Sequence, residues 1–75
     1  MRIMCRRKSN GRFVVESDAG DVFEYQVAIR AGTVRMRRVG PPVWRPGPWP
    51  VNTDAIASAA RRAALARARH DGFAV

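Results

Sequence analysis

All five prolines of this chain lie between Pro41 and Pro50, and both tryptophans lie among them. Proline locks φ and lacks a backbone donor. Neither a helix nor a central strand can therefore pass through Gly40-Pro41-Pro42-Val43-Trp44-Arg45-Pro46-Gly47-Pro48-Trp49-Pro50. Residues 40–51 must form an extended, polyproline-like connector. The connector separates residues 1–39 from residues 52–71, and the two parts carry different hydrophobic periods.

In the first part the period is two. From Val22 to Arg30, Phe23, Tyr25, Val27 and Ile29 alternate with Glu24, Gln26, Ala28 and Arg30, the pattern of a strand with one buried and one wet face. Phe13 and Val15 flank Val14 in an earlier strand, and Ser17-Asp18-Ala19-Gly20-Asp21 supplies turn chemistry between the two. Ala31-Gly32 is short enough to close a tight hairpin into Thr33 to Val39, with Val34 and Met36 inward and Arg35 and Arg37 outward. Asn10-Gly11, a strong two-residue hairpin signal, offers a further strand at the N-terminus around Ile3 and Cys5. The expected sheet is an antiparallel meander of three or four strands.

The second part reads as one helix. Asn52 or Thr53 can cap it, and Asp54 sits in the first turn where the helix dipole favours an acid. Arg67, Arg69 and His70 sit in the last turn, and Gly72 ends the helix. At 100° per residue, Ile56, Ala59, Ala60 and Ala63 share a face, and small residues there imply close approach to the sheet. Leu65 falls among arginines on the other side. It either widens the buried stripe through Ala57, Ala64 and Ala68 or belongs to an interface with another chain. Phe73 and Val75 can tuck back under the sheet. The expected fold class is α+β, one small domain with the helix packed on the sheet.

A core this small supplies only about 3–5 kcal/mol of net stability, so a staple is expected. Cys5 is the only cysteine and His70 the only histidine, which excludes an internal disulfide and a zinc ligand set. A homodimer remains as the staple. No apolar run approaches the roughly 18 residues of a membrane span, and Arg2, Arg6, Arg7 and Lys8 are not followed by a signal-type stretch. The expectation is a cytoplasmic protein without membrane contact.

Catalytic chemistry finds little purchase. The chain lacks a phosphate-cradling glycine loop, a metal-spaced cluster and a nucleophile elbow, and no cofactor site is expected. His70 reads as a dipole-complementing surface residue rather than as half of an acid/base pair with Asp71, and Asp18 and Asp21 as turn formers rather than calcium ligands. Cys5 beside Arg6 and Arg7 reads either as an activated thiol or, by the commoner precedent, as a small buried apolar residue. A non-catalytic protein is expected.

Charge carries the functional reading. The net charge is +8, from 13 Arg and one Lys against six acids, and it is unevenly placed. Arg6, Arg7, Lys8 and Arg12 form one basic segment. Arg30, Arg35, Arg37 and Arg38 form a second, and Arg61 and Arg62 lie on the helix. This distribution suggests a nucleic acid, DNA or RNA, bound through its phosphates. Arg, Ala, Gly and Pro share GC-rich codons, so a GC-rich genome accounts equally for the choice of Arg over Lys, though less well for the excess of positive charge. Glu16 and Glu24 lie on the same sheet face and would blunt the patch by pairing across strands. Buried Phe23 and Tyr25 would give no stacking platform for single strands. The competing expectation is a protein-interaction module, for instance a small inhibitor or accessory protein of a phage or mobile element. It would use a sheet edge or the aromatic segment with Trp44, Arg45 and Trp49, together with Leu65. In the same segment the tryptophans have a second reading, a lid packed back over the sheet.

Overall fold

The alternating half of the chain forms four antiparallel strands, β1 (Ile3–Ser9), β2 (Arg12–Ser17), β3 (Val22–Arg30) and β4 (Thr33–Arg38), in the order β1-β2-β3-β4. One helix follows, α1 (Thr53–His70). These elements come from a computed structural model that describes residues 1–48, 50 and 52–75. The Asn10-Gly11 hairpin forms, so the sheet has the fourth strand, with a register shift between Arg7 and Ser9.

Register sorts the side chains onto two faces. Cys5 opposes Val15, Val15 opposes Phe23, Phe13 opposes Tyr25, and Val27 opposes Met36, so one face collects the large apolar residues. That face meets α1. Phe13, Val15, Phe23, Tyr25 and Met36 are buried there with Ile56, Ala60, Ala64 and Ala68. Removing a Phe or Ile side chain from water contributes roughly 1.5–3 kcal/mol each, so Phe13, Phe23 and Ile56 dominate the gain.

The buried helix stripe is Ile56, Ala60, Ala64 and Ala68, a strict row of every fourth residue. The wheel reading placed Ala59 and Ala63 in the stripe and Leu65 opposite. Instead Ala63 lies at its edge, and the wider-stripe reading of Leu65 holds: Leu65 and Ala57 pack against the core beside Ala64 and Ala68. A helix on a twisted sheet follows its own i,i+4 ridge rather than a line parallel to its axis, and this rotates the contact. Alanine at three successive positions of that ridge lets the backbone come close to the Phe and Val side chains.

The helix starts at Asn52, but no side chain caps it; Ile56 N–H bonds the Asn52 carbonyl at 3.2 Å. Its end is tightly closed. Phe73 N–H bonds the Ala68 carbonyl at 3.0 Å and Gly72 N–H the Arg69 carbonyl at 3.1 Å, the paired bonds of a Schellman motif. The motif requires a left-handed residue, and Gly72 has φ 96°. The turn sends Phe73 back onto the sheet, where its ring meets Phe13 edge-on at 6.3 Å, and Val75 also packs against the core.

The connector begins as a continuation of β4 along β3. Val39 N–H bonds the Glu24 carbonyl, and Val22 and Val43 exchange both backbone bonds at 2.7 and 2.9 Å. Trp44 then lies edge-on to Phe23 at 5.5 Å. For Trp44, the lid reading of the aromatic segment holds. Trp49 lies outside the described residues.

Candidate nucleic-acid interface

The face of the sheet away from α1 carries the charge. In register it presents Arg6 beside Val14, Val14 beside Glu24, Arg12 beside Gln26, Gln26 beside Arg37, Ala28 beside Arg35, and Arg30 beside Thr33. Two regimes divide it. At the β1–β2 side the cations are matched: Arg6 with Glu16 at 3.7 Å, Lys8 with Glu24 at 3.0 Å, and Arg12 with Glu24 at 3.4 Å. Val14 sits within this lattice and is only 6% exposed although it faces away from the helix. Long charged side chains cover apolar surface with their stems, and the lattice here closes a second, minor layer.

At the β3–β4 side there is no such matching. Among the described residues, no carboxylate lies within ion-pair distance of Arg30, Arg35 or Arg37. The expectation that glutamates blunt the patch therefore holds for one half of the sheet only. A shallow depression across the hairpin is lined by Ala28, Arg30, Thr33, Arg35 and Arg37.

Why the arginines stand out from the rest of the molecule follows from the hairpin. Ala31 and Gly32 both adopt left-handed backbone, φ 50° and 77°, the geometry of a two-residue turn that suits strand twist. α1 packs chiefly on β1 and β2 rather than on β4. Ile29, expected on the buried face, is instead 72% exposed, because nothing of α1 or its tail reaches it. The tip is therefore a two-stranded ribbon open on its outer face, while on its helix side Ile29 is exposed and Val34 borders a groove with Leu65, Arg69 and Val75.

The other predicted cations are scattered. Arg7 and Arg38 fall in register on the helix side of the sheet, opposite Phe13 and Tyr25, at its two edges. Arg38 donates to the Gly40 carbonyl at 3.1 Å. Arg61 reaches the Met36 carbonyl at 3.4 Å and lines a groove along the β4 edge with Arg35, Leu65 and Arg69. Arg62 is exposed on the helix. Strand and helix thus bring Arg35, Arg61 and Arg69 together, while Arg6, Lys8 and Arg12 belong to the matched half.

The residues expected at a protein interface are turned inward where they are described. Arg45 donates to Asp21, Trp44 meets Phe23, and Leu65 packs against the core. Asp21, read as a turn former, is fully buried. It accepts from Ser17 Oγ, from the Arg45 backbone N–H, and from Nε and Nη2 of the same arginine. These bonds hold its carboxyl down to about 2 against the desolvation that would raise it.

Remaining chemistry is quiet. Burial pushes the Cys5 thiol up, opposed by Arg67 rather than by Arg6 or Arg7, which favours the small apolar residue over the activated thiol. Asp71 pairs with Arg67 at 3.2 Å and not with His70, which is exposed. Among the described residues, no group of three metal-capable side chains occurs, and no helix is long and apolar enough to cross a membrane. Comparison with family models, with curated proteins and with solved structures finds no match to the chain.

Proposed function

We propose that this is a small, non-catalytic nucleic-acid-binding protein that engages phosphates through the β3–β4 hairpin, with Arg61 and Arg69 continuing the basic surface around the β4 edge beside Arg35. The observation that carries the reading is the division of charge. The acids of the sheet are spent on Arg6, Lys8 and Arg12, whereas Arg30, Arg35 and Arg37 share one open face without a carboxylate in reach among the described residues. Unmatched guanidinium groups on an accessible ribbon are suited to phosphate oxygens, to which they donate in pairs. A protein-interaction module has less support, because Trp44, Arg45 and Leu65 already have internal partners.

The test is binding of the purified protein to random duplex DNA and to single-stranded RNA at low and physiological salt. Three to five phosphate contacts give a log–log salt slope of about −2.7 to −4.5 on duplex DNA, so affinity should fall roughly 40- to 500-fold between 50 and 200 mM salt. No binding at low salt ends this reading and turns the search to a protein partner.

A further inference from the structure

We infer that the ligand of the hairpin is the major groove of B-form duplex DNA, read at its base edges; the inference rests on the nucleic-acid reading above. Three observations lead there. First, the open face of the ribbon contains more than arginine. On the two-stranded ribbon itself it presents the pairs Ala28–Arg35 and Arg30–Thr33, and at the ribbon's base, where β2 still lies beside β3, the pair Gln26–Arg37. These are side chains with base-edge chemistry: Arg donates a pair of bonds to guanine, Gln matches adenine, and Thr or Ala meets the thymine methyl. Gln and Thr can also donate to phosphates, so the alternation of Arg with an amide and a small residue gains its meaning from the shape that presents it. Ala28 keeps the middle of the ribbon low, so the flanking arginines and Gln26 can reach past it.

Second, the shape fits one groove. Neighbouring strands lie about 4.8 Å apart, and the roughly 12 Å major groove of B-form DNA admits a two-stranded ribbon. The A-form duplex of RNA has a deep, narrow major groove that does not. Entry requires a ribbon that stands clear of its own protein, and the exposed Ile29 on the opposite face marks where the helix layer ends.

Third, recognition of single strands needs exposed aromatic platforms. Phe13, Phe23 and Tyr25 are buried, and Trp44 and Phe73 are engaged edge-on with Phe23 and Phe13. Among the described residues no aromatic ring is fully exposed, and Trp44 and Phe73 are half-buried.

The experiment is selection of binding sites from a random duplex pool by the full chain near physiological salt. It is paired with competition among duplex DNA, duplex RNA and single-stranded DNA of equal length. Enrichment of a short motif, with duplex DNA preferred by about tenfold or more, is the expected result. Two uncharged variants separate groove reading from phosphate attraction. Gln26→Ala should relax the preference at one base pair, and Ala28→Leu should weaken duplex DNA binding about tenfold, both with the salt slope and thermal midpoint of the parent. Equal binding to all three polymers, or a selection without enrichment, overturns groove reading while leaving phosphate-driven binding in place. Failure to bind any polymer at low salt removes the proposed function as well.

Discussion

Arg45 closes on Asp21 across 24 residues of chain, with Nη2 2.7 Å from Oδ2 and both Nε and the backbone nitrogen on Oδ1, at 3.2 and 2.8 Å. Ser17 completes the carboxylate's shell from the β2 side. The connector is thereby fastened to the β2–β3 turn, and Trp44 is held over Phe23. Asp21→Ala should leave the Arg45 amide and guanidinium without their acceptor and lower the thermal midpoint by about 10–20 °C, read by circular dichroism.

The same carboxylate sets an acid limb. Its pKa is depressed from an ordinary 3.8 to about 2, so its stabilisation is complete above pH 3.8 and vanishes as pH falls through about 2. The amount is roughly 1–2 kcal/mol once solvent screening of the partly exposed arginine is allowed for. Denaturant midpoints of the parent and of Asp21→Asn should converge between about pH 4 and pH 2. A constant gap across that window would contradict the assignment.

Close packing at the alanine ridge makes a sharp contrast between neighbours on α1. Ala64 is fully buried against the sheet, and Ala66 is exposed. Ala64→Leu should cost about 1–3 kcal/mol by overpacking, whereas Ala66→Leu should stay within about 0.5 kcal/mol of the parent.

Ala31 holds a left-handed backbone at φ 50°. Asparagine tolerates that region better than alanine, and Asn-Gly is the favoured pair for such a turn. Ala31→Asn should raise stability by about 0.5–1 kcal/mol in chemical denaturation.

Arginines on the two halves of the open face should behave differently. Arg35→Ala/Arg37→Ala should weaken duplex binding and make the salt slope shallower by about two. Arg6→Ala/Arg12→Ala removes cations already matched by Glu16 and Glu24. It should change the slope by less than one, as read in the same titration.

Much of the architecture was legible in the chain. The alternation from Phe23 to Val27 marks β3, Ala31-Gly32 marks its hairpin, and the proline run marks where the sheet must end, because these are local properties of backbone and neighbour. Asn10-Gly11 announced β1 on the same grounds. Gly72 likewise announced the helix end. The site was legible in part: the basic segments were visible, but nothing local distinguished Arg12, matched to Glu24, from Arg37, matched to no acid among the described residues.

What the sequence determined by itself was the set of elements and which residues alternate between faces, since period, turn chemistry and proline act over a few residues. Only the tertiary structure decided three things. It decided which alanines of α1 are buried, through the twist of the sheet beneath. It decided that Asp21 and Arg45 form a lock, through the return of the connector. It decided that Ile29 is exposed and that Arg35 meets Arg61 and Arg69 along the β4 edge, through where α1 stops. Each depends on how finished elements meet, and contacts between residues distant in sequence leave no mark on the short-range pattern of the chain.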